Sequence, residues 1–148
     1  MTPCLWFVDK AEAAAAFYVS VFPNSRILNV ARNGGAVMMV SFELDGRPFT
    51  ALNGRRTPGF TDAVSFMVDC PDQAEIDRIW DALTDGGAPG RCCWLTDRFG
   101  VSWQILPAAL PTFMSGSDPA ASGRAMAALM QMDKPDIAGL QAAYDGVA

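Results

Sequence analysis

The sequence predicts an α+β fold in which a βαβββ module occurs twice and is followed by C-terminal helices. The first observation is a pair of capping boxes, Asp9–Glu12 and Asp72–Glu75, which lie 63 residues apart. A short apolar run typical of a strand precedes each box, and apolar residues at helical spacing follow it. A further observation is Asp45–Gly46, a strong hairpin signal between two strand-like runs. Together these features indicate a duplicated unit.

The first module spans about residues 3–54. It contains a strand near residues 4–8, a helix between Asp9 and Pro23, and strands near 26–32, 37–44 and 49–53. The second module spans about 63–107. It contains a strand near 63–69, a helix after Asp72, and short strands near 92–96 and 101–106. A Gly-, Pro- and Arg-containing stretch at 54–60 has the composition of a linker.

The two helices share a register at the 63-residue offset. Ala13, Ala16 and Phe17 then correspond to Ile76, Ile79 and Trp80. Beyond Pro107 the composition changes, and helices are predicted near 120–132 and 136–144. We therefore expect a domain at 1–110 that contains both modules, and a C-terminal helical extension at 111–148.

Composition excludes several functional classes. The chain has 148 residues, 51% hydrophobic and 18% charged, which suffices for a sizeable core. Eleven basic residues against sixteen acidic ones, with no basic stripe, argue against nucleic-acid binding. No apolar run approaches the roughly 20 residues of a membrane span. The N-terminus resembles a strand rather than a signal peptide, and the four cysteines contain no C-x-x-C pair, so we expect a cytoplasmic protein with reduced thiols.

The sequence contains no histidine. Histidine is the commonest transition-metal ligand and the commonest general base near neutral pH. Its absence restricts both metal chemistry and acid–base catalysis.

Several longer strings resemble one protein superfamily. The doubled βαβββ unit, with Phe17–Tyr18 in the first helix and a D-x-x-G motif at Asp97–Gly100, resembles the vicinal-oxygen-chelate superfamily of glyoxalase I, extradiol dioxygenases and bleomycin-resistance proteins. The chain looks more closely like the PhnB-like branch, often labelled a demethylubiquinone methyltransferase domain. The strings that carry this likeness are Pro3–Phe7, Ala16–Ile27, Phe42–Gly54, Trp94–Pro107 and Leu129–Leu140.

The resemblance implies curved sheets that enclose a pocket, usually completed in a homodimer. Metal-dependent members of the superfamily take four ligands, from the first and last strands of each module. The corresponding positions here are Pro3 or a neighbour, Thr50 or Leu52, Ala63, and Gln104. These residues offer at most weak neutral donors, whereas a divalent ion needs several donors and anionic charge. We therefore expect no metal and no other cofactor.

The final strand places Ser102 and Gln104 on one face because side chains alternate along a strand. The resemblance turns that face, and its counterparts on the other inner strands, toward the pocket. The predicted ligand-binding residues are Leu5, Phe7, Thr50, Leu52, Ser65, Met67, Ser102 and Gln104. The alternative is that Gln104 is a hydrogen-bonded amide in a collapsed core.

The predicted function is metal-free binding of a small apolar or aromatic molecule in this pocket. One alternative is an enzyme of unknown reaction: a glyoxalase- or dioxygenase-like lyase or oxidoreductase using Gln104 and Ser65, or the methyltransferase of the family label. The paired glycines at 34–35 and 86–87 lack the G-x-G-x-x-G spacing of a Rossmann-type cofactor site. Another alternative is a dimeric interaction module that binds no small ligand.

Overall fold

The computed structural model describes residues 1–56 and 59–147. It divides into two compact units, Met1–Gly59 and a second unit that starts at Phe60. Each unit contains one βαβββ module, so the predicted α+β fold is confirmed. The predicted linker at 54–60 includes Thr57 and Pro58, which lie outside the described residues. Within the described residues, no helix is long and apolar enough to cross a membrane.

The first unit is a four-stranded sheet with one helix. Strand β1 and the last strand, β4, are parallel neighbours, and the other pairs are antiparallel, in the order β1-β4-β3-β2. The elements are β1 (Cys4–Phe7), α1 (Ala11–Val21), β2 (Arg26–Asn33), β3 (Ala36–Leu44) and β4 (Arg47–Asn53). The hairpin predicted at Asp45–Gly46 joins β3 to β4, and both residues have positive φ, 47° and 70°.

The second unit repeats this topology, in the order β5-β8-β7-β6 with β5 parallel to β8. Its module consists of β5 (Phe66–Cys70), α2 (Gln73–Thr84), β6 (Ala88–Pro89), β7 (Trp94–Thr96) and β8 (Ser102–Pro107). Three C-terminal helices belong to the same unit: α3 (Leu110–Met114), α4 (Pro119–Leu129) and α5 (Ile137–Asp145). Strand β6 and helix α3 are short and were not predicted.

The two module helices begin in different ways. The N-cap predicted at Asp72 is correct, since its carboxylate accepts a hydrogen bond from Glu75 N at 2.9 Å, while the Glu75 carboxylate accepts from Arg78. The box predicted at Asp9 is wrong, because the N-cap is Lys10 and its side chain forms no capping bond. Instead, Ala11 N donates to Asn53 Oδ1 at 2.9 Å, so the end of β4 satisfies the first turn of α1.

The helix registers correspond at an offset of 62 residues rather than 63. Ala13 and Ala16, which were expected to match Ile76 and Ile79, are exposed. The buried positions that correspond are Ala14 with Ile76, Tyr18 with Trp80, and Val21 with Leu83. The duplication is therefore real, but the alanine-rich first helix gives no apolar contrast from which its buried side can be recognised.

Each helix covers one face of its own sheet. On the first sheet Tyr18 stacks on Phe42, and Phe42 on Phe49, with ring centroids 6.4 and 5.6 Å apart. On the second, Phe66 contacts Trp103 at 5.3 Å. These aromatic contacts anchor the two cores.

A buried carboxylate holds the turn before β8. Asp97, only 3% exposed, accepts hydrogen bonds from Phe99 N at 2.8 Å, Val101 N at 3.0 Å and Trp103 Nε1 at 2.8 Å. Gly100 closes the turn with φ of 89° and donates to Asp97 O. The D-x-x-G motif is thus a turn in which one carboxylate satisfies two backbone amides and a core indole.

Residues 92 and 93 form a second constrained segment. Cys92 and Cys93 have φ of 57° and 71°, a left-handed conformation that non-glycine residues seldom adopt. Their amides donate to Met132 O at 2.7 Å and Asp133 O at 3.1 Å, in the C-terminal extension. The strand predicted from Cys92 therefore begins only at Trp94.

Gln73 of α2 also holds the C-terminal extension. Its Nε2 donates to Pro135 O at 3.0 Å, and its Oε1 accepts from Ile137 N at 2.9 Å. Lys134 Nζ lies 2.9 Å from the Asp77 carboxylate and lowers the pKa of that group. The extension is therefore attached to the second module by side-chain as well as backbone bonds.

We expect Asp97→Asn to lower the free energy of unfolding by about 2–3 kcal/mol, since an amide cannot accept all three hydrogen bonds and loses the charge that strengthens them. Urea denaturation measures the change. Asp62→Asn, at an exposed carboxylate, is the matched control and should have little effect. Equal stability of the two variants would contradict the role assigned to Asp97.

We expect Gln73→Ala to cost about 1–3 kcal/mol, because it removes both bonds to the 135–137 segment and leaves half-buried backbone groups unpaired. Gln141→Ala is the control, since Gln141 is exposed and, among the described residues, its side chain bonds only to Asp145 on its own helix. Denaturation followed by circular dichroism compares the two. A loss no larger than that of the control would show that Gln73 does not hold the extension.

Candidate functional site

Strand register determines which side chains share a face of each sheet. Directly paired residues on neighbouring strands project to the same side, and successive residues alternate. We call the side turned away from the module's own helix the distal face. Two of the predicted residues, Thr50 and Leu52, lie on the distal face of the first sheet, where they pair with Cys4 and Trp6 of β1.

Leu5 and Phe7 do not lie on that face, so their assignment to the pocket lining is wrong. They pair with Ala51 and Asn53, and they are 6% and 4% exposed in the core beneath α1. The side chain of Asn53 independently marks this side of the sheet, because it caps α1. The side chains that replace Leu5 and Phe7 on the distal face are those of Cys4 and Trp6.

The four residues predicted in the second module do share its distal face. Ser102 and Gln104 alternate along β8, and Met67 pairs directly with Gln104. Ser65 precedes β5, and its Oγ accepts a hydrogen bond from Gln104 Nε2 at 2.9 Å. Ser102 is buried, Ser65 and Gln104 are half-buried, and Met67 is 65% exposed. Their role in binding stays a prediction.

Trp94 completes a row across this face that sequence reasoning missed. It pairs with Gln104 from the other side, so Met67, Gln104 and Trp94 stand side by side on β5, β8 and β7. Its side chain is half-buried on the distal face. The signal that identifies it is strand pairing, which the local sequence does not contain.

The first sheet carries a similar row. Trp6, Leu52 and Met39 are directly paired on β1, β4 and β3. Trp6 is 42% exposed and Met39 43% exposed, so both flanking side chains are accessible. Each module therefore presents one indole and one thioether on its distal face, around a central residue that is Leu52 in one and Gln104 in the other.

Gly54 provides the space for the indole of Trp6. A β-carbon at residue 54 would overlap Trp6 Nε1 and crowd the neighbouring ring atoms. Gly54 N also donates to Phe7 O at 2.8 Å, which fixes this backbone beside β1. The Trp6 ring can occupy this position because residue 54 has no side chain.

The C-terminal helices cover one end of the second distal face. Leu106, which alternates with Gln104, belongs to a buried cluster with Phe113, Leu129 and Leu140. The exposed part of the face is therefore centred on the row through Gln104.

The donor set does not fit a metal ion. Pro3 precedes β1 and its carbonyl already accepts from Thr50 N, while Ala63 lies in a turn before β5. The register replaces them with Cys4 and Ser65, so the first sheet offers a thiol and a hydroxyl, and the second a hydroxyl bonded to an amide. Within the described chain, no group of three or more His, Cys, Asp or Glu side chains could hold a metal.

The Ser65–Gln104 pair can form hydrogen bonds but cannot exchange protons near neutral pH. Neither an amide nor a hydroxyl serves as a general base without a titratable partner. The buried thiols are also poor nucleophiles, because burial raises the pKa of Cys70 to about 11 and that of Cys93 to about 12. The face is thus suited to binding a neutral ligand.

Comparison with known proteins identifies the family. The family model described as 3-demethylubiquinone-9 3-methyltransferase matches residues 1–106. The chain belongs to this family. A Bacillus cereus PhnB protein, named for a proposed 3-demethylubiquinone-9 3-methyltransferase activity, is 32% identical with a TM-score of 0.69. The alignment covers 73% of this chain and 98% of that one.

More distant structures share the fold alone. PA1353 from Pseudomonas aeruginosa is 18% identical, with a TM-score of 0.62 over 72% of this chain and 96% of that one. A possible glyoxalase from Bacillus cereus is 14% identical, with a TM-score of 0.51 over 71% and 95% of the two chains. No curated protein matches. The chain is a PhnB-like member of the vicinal-oxygen-chelate superfamily.

The family match ends at residue 106, before α3 begins. The likeness expected for residues 129–140 is not part of that match. Helices α3 to α5 are therefore an addition to the matched family domain.

We expect Gly54→Ala to displace the Trp6 ring and shift the tryptophan emission spectrum, with a loss of about 1 kcal/mol because an exposed ring can move aside. Gly123→Ala is the control, since nothing lies near its added methyl and alanine favours the helix. The shift should vanish when Gly54→Ala is made in a Trp6→Phe protein. A spectral change that persists there would refute the assigned contact.

Proposed function

We propose that the protein binds a small apolar or aromatic molecule, without a metal, on the distal face of the β5–β8 sheet. The observation that carries this proposal is the row of Met67, Gln104 and Trp94, which is accessible and uncharged. Apolar side chains around a few placed polar groups are the usual lining of a small-molecule site. Binding rather than catalysis is favoured because, in the part of the chain that the structure describes, Ser65 and Gln104 bond to each other and to no titratable side chain.

The flanking side chains favour apolar ligands for a physical reason. Met67 is 65% exposed, and burying its thioether against a ligand removes apolar surface from water. Trp94 adds a large, flat surface suited to aromatic contact. Both side chains lie directly beside the one amide of the row, which can orient a ligand by a hydrogen bond.

Methyl transfer finds no support in the glycine turns. Gly34 and Gly35 join β2 to β3, and Gly86 and Gly87 follow α2. A dinucleotide- or adenosyl-binding turn joins the end of a strand to the start of a helix, where backbone amides face the ligand. Neither glycine pair has that position.

We also infer a cytoplasmic homodimer, which stays a prediction. Exposed apolar side chains at Met126 on α4 and at Met130, the C-cap residue of that helix, are consistent with self-association. The four free cysteines are consistent with a reducing compartment.

Binding of N-phenyl-1-naphthylamine, a neutral apolar probe, tests the proposed function. We expect saturable fluorescence enhancement, and at least a tenfold weaker affinity in Met67→Lys, because the ammonium would have to lose its hydration at the ligand. Met38→Lys is the matched control, since Met38 is also an exposed methionine on a strand, 52% exposed on β3, and lies outside the β5–β8 sheet. Zinc, nickel or EDTA should leave the affinity unchanged.

Circular dichroism establishes that both variants are folded. Equal affinities for Met67→Lys and Met38→Lys would place the probe elsewhere and reject the site. A metal requirement for binding would reject the metal-free mechanism.

A further inference from the structure

The orientation of the Gln104 amide carries information about its ligand. Gln104 Nε2 donates to Ser65 Oγ at 2.9 Å. Within residues 1–56 and 59–147, Gln104 Oε1 receives no hydrogen bond. A carbonyl oxygen in an otherwise apolar row can be satisfied by a ligand that brings a hydrogen-bond donor.

The row also limits the size and shape of that ligand. Neighbouring strands lie about 4.8 Å apart, so the backbones of Met67 and Trp94 stand about 10 Å apart with Gln104 midway. This width suits one or two fused rings. Trp94 can stack on an aromatic ring, and the Met67 thioether makes favourable sulfur–aromatic contacts.

The two rows differ in their central residue, which is polar in the second module and apolar in the first. The first sheet has the same flanking residue types, Trp6 and Met39, but an apolar Leu52 at the centre. The amide is thus an addition to an indole–thioether pattern that both modules carry. A single amide in the row corresponds to a single polar substituent on the ligand.

Charge on the face excludes an anionic substituent. Met67, Trp94, Ser65 and Gln104 are all neutral, and the charged residue that alternates with Met67 along β5 is Asp69. A carboxylate or phenolate would meet no cation in the row and would lose hydration on binding. An ammonium would likewise lose its hydration beside the apolar side chains of Met67 and Trp94. We therefore take the donor to be a neutral hydroxyl or ring N–H.

We propose that Gln104 Oε1 selects neutral mono- or bicyclic aromatic molecules that bear one hydroxyl or ring N–H, bound between Met67 and Trp94. This inference rests on the proposed function of the same face and adds the chemical class of the ligand.

Three matched probes test the inference: 2-naphthol, which donates a hydrogen bond; 2-methoxynaphthalene, which cannot; and 2-acetylnaphthalene, which adds an acceptor. Calorimetry or displacement of N-phenyl-1-naphthylamine gives their affinities at neutral pH, where naphthol is uncharged. We expect naphthol to bind about 3- to 10-fold more tightly than its methyl ether, the effect of one neutral hydrogen bond.

Gln104→Leu should remove this preference while the ether binds at least as tightly as before, since leucine keeps the volume and loses the acceptor. Trp94→Leu should weaken all three probes together, because it removes the stacking surface and leaves the amide. If Gln104→Leu does not fold, the ranking of the probes on the wild-type protein decides.

Equal binding of naphthol and its ether, or tightest binding of the acetyl compound, overturns the inference but leaves the proposed function standing. Persistence of the naphthol preference in folded Gln104→Leu also overturns it. Failure of all three probes to bind overturns the inference and the proposed function together.

Discussion

The parallel pairing of the first and last strands in each module is the constraint on which the site depends. It places β1 beside β4 and β5 beside β8, so that residues far apart in sequence become direct neighbours. A one-residue shift in such a pairing exchanges the buried and distal faces. Thr50 therefore lies beside Cys4 and not beside Leu5, and Met67 lies beside Gln104. Helix packing on one face leaves the other face to carry the indole, thioether and amide groups.

Local sequence patterns predicted much of the fold, and the predictions that were wrong share one physical cause. The cap at Asp72 and the alternation of Ser102 with Gln104 depend on residues close in sequence, and both were predictable. The cap of α1 by Asn53 and the faces of Leu5 and Phe7 depend on pairing across more than 40 residues. A parallel pair has no tight turn to set its register, so the sequence alone left that face ambiguous. Trp94 was missed for a related reason, because its place beside Gln104 is set by the pairing of β7 with β8.

The site combines the fold of the superfamily with side chains that do not form a metal-binding set. The fold of each module is that of the vicinal-oxygen-chelate superfamily, and the resemblance implies that metal-dependent members take ligands from the first and last strands of each module. In this chain the corresponding positions carry a thiol, hydroxyls, apolar groups and one amide. Such a set is suited to apolar contact and a hydrogen bond rather than to metal coordination. The hydrogen bond between Ser65 and Gln104 joins the residue preceding β5 to β8, so it also orients the one polar group of the row.

The cap of α1 has a consequence for how the chain reaches its native state. Helix α2 carries its own cap three residues from the amide it serves, so its first turn can form as a local unit. The first turn of α1 is completed by Asn53, 42 residues away, and therefore requires β4 to be in place. Two modules of the same topology thus differ in contact order at their helices. Assembly of the first module is coupled to its last strand, whereas the second can nucleate at its helix.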